Sequence, residues 1–493
     1  MTTASPRPAL DVAEVIRRHG AAFLARHGSV LSAVQRQALH DLAVCRTAAL
    51  GGHLEHCADC GAERVAYNSC RNRHCPRCQA LARACWLEQQ ARHLLPVEYH
   101  HVVFTLPGQL SELALANPAV LYDLLLRSAA ATLRDVAADP QRLGATLGVL
   151  LVLHTWGQNL HHHPHVHGVV TGGGLSCDRS GRVEASPRWR ACRPGFLLPV
   201  RILSRVFRGQ FVAGLRRALE GGRLELPGPL AALADPAGRA AWYRSLYAKE
   251  WVVYAKPPFG GPERVLKYLA RYSHRVAISN GRLLALRDGR VTFAYQDYAE
   301  GGRPKTMTLD ADEFLRRFVQ HVLPRGFVKV RHYGLLANSR RQARLTVCRR
   351  LLLVAEVAGR VAPAEGAAVE AAAVRCCRQC GGTRLVYRPL PPEEPLPPET
   401  AAVADSSSRA GAGGSARCCP AEGPPRRGCA PRAGGDRAGL KRRLRLGGSA
   451  GVRWRKTLAN ETTGSLESGG EGRPSRRIPI GGGPAVQSNR NLC

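Results

Sequence analysis

His161-His162-His163-Pro164-His165-Val166-His167-Gly168-Val169-Val170 sets two imidazoles either side of one apolar residue at the entry to a β-branched run. Successive side chains of a strand alternate faces, so His165 and His167 project one way while Val166 points into a core. Two ligands on one rigid face make half of a divalent-metal site, and an ion held there with open positions can polarise a phosphodiester or a carbonyl. The alternative is a surface histidine cluster that binds metal only adventitiously. Just upstream, the apolar run Leu147 to His154 reads as a buried strand, and the loop between the two is short enough for antiparallel pairing. His154 and Gln158 thereby become candidates for a third ligand, or else ordinary polar residues at a strand end.

Such a site needs a nucleophile. Pro262-Glu263-Arg264-Val265-Leu266-Lys267-Tyr268-Leu269-Ala270-Arg271-Tyr272-Ser273 reads as one helix with proline in its first turn. Tyr268 and Tyr272 are four residues apart and share a face. A tyrosine pair at that spacing is commonly core packing, but Lys267, Arg271, His274 and Arg275 surround this one and suit phosphate.

The rest of the chain supplies the context. Its 493 residues carry 71 Lys+Arg against 37 Asp+Glu, a net charge of +34, which calls for a polyanionic partner, nucleic acid foremost. No run approaches the roughly 20 apolar residues that span a bilayer, and no signal-peptide pattern opens the chain, so a membrane partner is not expected. The 17 cysteines cluster in short-spaced pairs, which reads as metal ligation in a reducing, intracellular compartment. Cys57-Ala58-Asp59-Cys60 and Cys75-Pro76-Arg77-Cys78 are two CxxC pairs a loop apart, and two such knuckles complete a zinc tetrahedron. Cys57, Cys60, Cys75 and Cys78 are the expected set; Cys70 or His74 could replace a member, or build a second site with His53 or His56. Arginines on this braced turn, Arg64, Arg71, Arg73 and Arg77, are candidate DNA contacts. A further CxxC, Cys377-Arg378-Gln379-Cys380, has no second pair at ribbon spacing, leaving Cys376 or Cys348 as partners or an incomplete site.

Amphipathic patterns at Asp11 to His27 and Ser32 to Cys45 predict an amino-terminal helical segment. Asn280-Gly281 and Asp288-Gly289 are hairpin signals between Val276–Ile278, Leu283–Leu286 and Val291–Tyr295, predicting a small meander. Asp310 with Glu313 forms a capping-box pattern. The basic and aromatic residues of Arg325 to Gly334, among them Lys329 and Arg331, suit a single-strand channel or a solvated strand edge. No phosphate-binding GxxxxGK[ST] loop occurs, so no nucleotide cofactor is expected. Beyond Pro389 the composition turns to proline, glycine, serine and arginine and predicts disorder. The resulting plan is a helical segment at 1–50, a zinc module at 51–95, a catalytic domain at 96–345, a helical segment with a knuckle at 346–389, and a basic tail at 390–493.

Several of these segments coincide with one family. Tyr67-Asn68-Ser69-Cys70-Arg71-Asn72-Arg73-His74-Cys75-Pro76-Arg77-Cys78-Gln79, Val102-Val103-Phe104-Thr105-Leu106-Pro107, and His154-Thr155-Trp156-Gly157-Gln158 leading into His163-Pro164-His165-Val166-His167 resemble the insertion sequence 91 type of transposase. So do Tyr268 to Ile278 and Arg331-His332-Tyr333-Gly334-Leu335-Leu336-Ala337-Asn338, and the resemblance covers roughly residues 15 to 385. It implies an α+β fold of the HUH endonuclease kind, a mostly antiparallel sheet flanked by helices. It further implies Mg²⁺ or Mn²⁺ on His165 and His167, with Tyr268 and Tyr272 as two nucleophiles acting on single-stranded DNA at transposon ends and on target DNA. Zn²⁺ would occupy the cysteine clusters, and the protein would work in the bacterial cytoplasm, on the nucleoid when bound to DNA. A plasmid replication initiator or relaxase would share the metal and tyrosine chemistry, though not the paired-cysteine module. A noncatalytic zinc protein would leave the HxH strand and the tyrosine helix unexplained.

Overall fold

The computed structural model of the protein describes residues 10–256, 264–265, 268, 276–358 and 376–393. Its centre is a six-stranded sheet with the order β11-β4-β5-β3-β7, and β6 pairs with β5 off that path. The strands are β3 (Tyr99–Thr105), β4 (Ala145–Trp156), β5 (His162–Ser176), β6 (Trp189–Ala191), β7 (Val253–Ala255) and β11 (Val330–Gly334). All pairings are antiparallel, and β4 and β5 are the long central pair.

Register decides what each face carries, because directly opposed residues share a face. His154 lies opposite His165, Val152 opposite His167, and on the other side of β5 Val103 opposite His167 and His101 opposite Val169. The face away from the histidines presents Val102, Phe104, Val149, Leu151, Leu153, Val166 and Val170, and these pack into the largest core. Two 21-residue helices cover it, α5 (Pro118–Ala138) and α6 (Val200–Glu220), with α4 (Ser111–Ala116) and α7 (Pro236–Tyr247) beside them. Their apolar stripes supply Leu121, Leu125, Leu133, Phe207 and Phe211, each fully buried and each contributing about 1.5–3 kcal/mol. α5 starts at Pro118, where a missing N–H costs nothing.

The histidine-bearing face has a second core, where Tyr99, Leu150, Val152 and Val169 meet Val265, Leu345, Cys348 and Leu352. The last three belong to α9 (Arg341–Ala358), so this helix runs through the expected boundary at 345. Both faces of the sheet are therefore covered, which explains why β4 reads as a nearly unbroken apolar run.

A third core joins the chain's start to its middle. α1 (Val12–His27) is capped by Asp11, whose side chain accepts from the Glu14 N–H, and α2 (Ala33–Ala43) opens with a Ser32/Gln35 capping box. Their apolar residues pack with Val291, Phe293, Phe314 and Phe318, from a three-stranded meander and the helix α8 (Ala311–Val319). The meander is β8 (Leu283–Arg287), β9 (Arg290–Asp297) and β10 (Arg303–Asp310), one strand later than the turn signals predict. Asn280-Gly281 begins a 3-10 turn, and Val276, Ala277 and Ile278 are apolar because they are buried in this core. Asp310 precedes α8 without a side-chain cap, and the Glu313 carboxylate, which would complete a capping box, is held by Arg316 and Arg317.

The third sheet, β12-β1-β2, corrects the expected domain plan. β1 (Gly52–Cys57) pairs with β2 (Glu63–Tyr67) and also with β12 (Leu385–Leu390), so residues 377–390 fold onto the zinc module rather than forming a segment of their own. α3 (Gln79–Ala91) leads from this module to the central sheet. Residues 394–493, where disorder was expected, lie outside the described residues.

Candidate metal and tyrosine site

The strand alternation that places His165 and His167 on one face also brings their Nε2 atoms to 3.0 Å. His154, opposed to His165 across the β4–β5 ladder, joins them, and one ligand atom from each of the three lies within 4.8 Å of the others. His165 Nδ1 is 2.7 Å from the carbonyl oxygen of His163. That contact places the proton on Nδ1 and leaves the Nε2 lone pair facing His167. Burial pushes His165 down to about 3 and His167 well below its ordinary value, so both are neutral at pH 7, the form that ligates. Two nitrogens each about 2.1 Å from an octahedral ion stand about 3.0 Å apart, and the donor set fits a divalent cation. The Trp156 ring stacks on His154 at 4.3 Å and fixes its plane.

Tyr268 closes the site. Its hydroxyl is 2.9 Å from His167 Nδ1 and 2.5 Å from Nε2 of His101, and the two imidazole nitrogens are themselves 2.9 Å apart. His101 is held down at about 3 by burial and is thus a neutral acceptor for the phenol. Sequence reading missed it: only the pairing of His101 with Val169 shows that it shares the face of His165 and His167. Lys256, whose backbone N–H donates to the His101 carbonyl, is an exposed cation next to these rings and was likewise missed. Tyr272, Lys267, Arg271 and Arg275 lie outside the described residues. Gln158 is not in the histidine group; its carbonyl accepts from Arg282.

The cysteines form two clusters, and neither is the expected set. Cys75 and Cys78 join Cys45 and Cys70, while Cys57 and Cys60 join Cys377 and Cys380. Sulfur-to-sulfur distances are 3.5 Å for Cys45–Cys78, 3.6 Å for Cys45–Cys75, Cys70–Cys78 and Cys57–Cys380, and 3.7 Å for Cys60–Cys377. A disulfide needs about 2.05 Å, whereas tetrahedral zinc with Zn–S bonds of about 2.3 Å sets sulfurs about 3.8 Å apart. The two expected pairs separate because β1 and the turn after it carry Cys57 and Cys60 to the segment leading into β12. Cys45 went unnoticed because it stands alone just past α2, with no CxxC mate. His74 is no ligand: its Nε2 accepts from the Leu323 N–H at 3.0 Å and its Nδ1 is 3.0 Å from Asn72 Oδ1. Cys348 is buried in the α9 core and Cys376 is exposed, so neither partners Cys377.

The candidate DNA contacts divide. Arg71 is exposed, at positive φ. Arg73 donates to the Phe327 carbonyl at 2.6 Å and Arg77 pairs with Asp11, so both brace the fold. Arg64 pairs with Glu55 at 2.6 Å. Lys329 is buried and Arg331 pairs with Asp123 at 2.6 Å over the Phe327 ring. A single-strand channel through these two is not what the structure shows: β11 is the edge strand paired with β4, and just before it Lys329 is buried while Val328 is exposed.

Comparison with known proteins covers most of the described chain. Residues 15–106 match a family described as "Transposase zinc-binding domain" and residues 148–343 one described as "Putative transposase". A protein named "Putative transposase y4qJ" from Sinorhizobium fredii is 53% identical over 342 residues, 69% of this chain and 84% of its own. The "Transposase for insertion sequence element IS801" of Pseudomonas savastanoi pv. phaseolicola is 30% identical over 311 residues, 62% of this chain and 71% of its own. Among the described residues no helix is long and apolar enough to cross a membrane.

Proposed function

The chain belongs to the insertion sequence 91 family of transposases, and from that premise we propose that it cuts and rejoins single-stranded DNA by tyrosine transesterification. The observation that carries this reading is the Tyr268 hydroxyl 2.9 Å from His167, itself 3.0 Å from His165.

Tyr268 Oη attacks phosphorus, the bond from phosphorus to the 3′ oxygen breaks, and a 5′-phosphotyrosine and a 3′-hydroxyl result. A phenol with a pKa near 10 needs an acceptor for its proton; His101 Nε2, 2.5 Å away, is placed to take the hydrogen bond. His165, His167 and His154 would hold Mg²⁺ or Mn²⁺, which when bound polarises the scissile phosphate and stabilises charge on its oxygens. The protein–DNA link keeps the phosphodiester energy, so rejoining needs no ATP. Tyr272, four residues on, is the second nucleophile and accepts the next strand, which gives rolling-circle-like transposition. Zinc held by Cys45, Cys70, Cys75 and Cys78 braces the amino-terminal module, and exposed cations such as Arg71 and Lys256 contact phosphates.

The test is incubation of the purified protein with labelled single-stranded DNA from an element end, with Mn²⁺ or with EDTA, and denaturing electrophoresis. A metal-dependent, protease-sensitive adduct that disappears in Tyr268→Phe plus Tyr272→Phe is expected. Cleavage that survives the double substitution would refute the tyrosine mechanism.

A further inference from the structure

The family match to the zinc-binding domain ends at residue 106, yet half of one cysteine cluster comes from residues 377 and 380. The two halves are built alike. In Cys57-Ala58-Asp59-Cys60-Gly61-Ala62 the Gly61 N–H donates to the Cys57 carbonyl at 2.8 Å and the Cys57 N–H to Ala62 at 2.9 Å. In Cys377-Arg378-Gln379-Cys380-Gly381-Gly382 the Gly381 N–H donates to the Cys377 carbonyl at 2.9 Å and the Cys377 N–H to Gly382 at 2.7 Å. Each turn needs its glycine, at φ 71° and 78°, where a Cβ is disfavoured. Such a turn points both sulfurs of a CxxC to one point, and here backbone N–H groups of Gln379 and Gly382 face the Cys377 and Cys380 sulfurs at 3.4 and 3.3 Å.

The halves also face each other through a fitted interface. Cys57 is opposite Leu385 at the end of the β1–β12 ladder, the Ala58 N–H donates to the Arg384 carbonyl at 2.9 Å, and Arg384 pairs with Asp59 at 2.5 Å. Cys60 and Cys380 are exposed thiols, a poor arrangement for a packing core and an ordinary one for a metal knuckle at a surface.

We propose that Cys57, Cys60, Cys377 and Cys380 bind a zinc ion of their own, distinct from one held by Cys45, Cys70, Cys75 and Cys78, and that it fastens the chain beyond the catalytic domain back onto the amino-terminal module. The ligands are more than three hundred residues apart in sequence, Cys60 and Cys377 being separated by 317, so the ion closes a loop around the whole central sheet. An amino-terminal fragment ending before residue 377 would hold half a site. The inference does not depend on the tyrosine chemistry.

The test uses the intact, zinc-loaded chain, alkylated briefly with iodoacetamide and mapped by mass spectrometry, alongside total zinc content. Two zinc ions per chain are expected, with Cys57, Cys60, Cys377 and Cys380 protected together and becoming reactive in one step as chelator is raised. Cys85 and Cys376, exposed and outside both clusters, should react throughout. In Cys377→Ser plus Cys380→Ser one zinc should remain, whereas the single replacement Cys380→His, which keeps four ligands, should retain both. A single zinc in the wild-type chain, or Cys377 and Cys380 alkylated while Cys57 and Cys60 stay protected, would overturn the proposal.

Discussion

At the scale of single residues, chemistry depends on burial setting protonation. His165, His167 and His101 are neutral at pH 7 because desolvation penalises their charged forms, so three imidazoles and a phenol share one small volume without repulsion. His154 comes from the neighbouring strand, opposite His165, and its ligand atom lies within 4.8 Å of those of His165 and His167. His154→Ala should lower strand cleavage about 10- to 100-fold at limiting Mn²⁺, as loss of a metal-site residue does, and excess Mn²⁺ should recover part of it; unchanged metal dependence would remove His154 from the site. Lys329 shows burial acting against stability. Desolvation, with the nearby Arg73 charge second, pulls it from 10.5 down to about 7. Between those values the unfolded chain holds a proton that the folded chain does not, so this residue's contribution improves as pH rises from about 7 to 10.5 and is worst below 7. Lys329→Met should therefore raise Tm by a few degrees at pH 6, with a smaller gain at pH 9. An equal change at both would show that Lys329 is not forced neutral. The HxH pair was legible in sequence because alternation in a strand is local. His101 was not, because its partner residue is 68 positions away (169 − 101).

At the scale of elements, sequence signals were strongest where a cap or a period settled the matter locally. Asp11 and Ser32 start α1 and α2 as their spacing suggests, and the run from Leu147 lies within β4. They failed where another interaction competed: Arg316 and Arg317, three and four residues on along the same helix, hold the Glu313 carboxylate, and burial gave Val276–Ile278 the look of a strand. The CxxC knuckles were legible one by one, but their partners were not, since a knuckle says nothing about which sheet edge will meet it. β11 offers a test of an element's join. Gly334 sits at φ +59°, and a Cβ there would stand 1.9 Å from the Leu147 carbonyl oxygen. Gly334→Ala should cost about 2–4 kcal/mol in urea unfolding, with β11 displaced from β4; a change within about 0.5 kcal/mol would mean that this edge pairs loosely.

At the scale of the whole molecule, a net charge of +34 fits a DNA substrate, yet among the described residues Arg64, Arg73, Arg77 and Arg331 brace the fold. Charge was legible as a total and not as a surface, because Arg73, Arg77 and Arg331 read the same in sequence whether they meet a phosphate, a carbonyl or an aspartate. The family, the α+β class and the histidine pair converge on one central claim, that a tyrosine beside the histidines becomes covalently joined to DNA. Isolating the protein–DNA adduct, digesting both components and sequencing the modified peptide tests it most directly. The account predicts a nucleotide joined through its 5′ phosphate to Tyr268, or to Tyr272 when Tyr268 is replaced by phenylalanine. A 3′-phosphate linkage, or attachment at any other side chain, would contradict it.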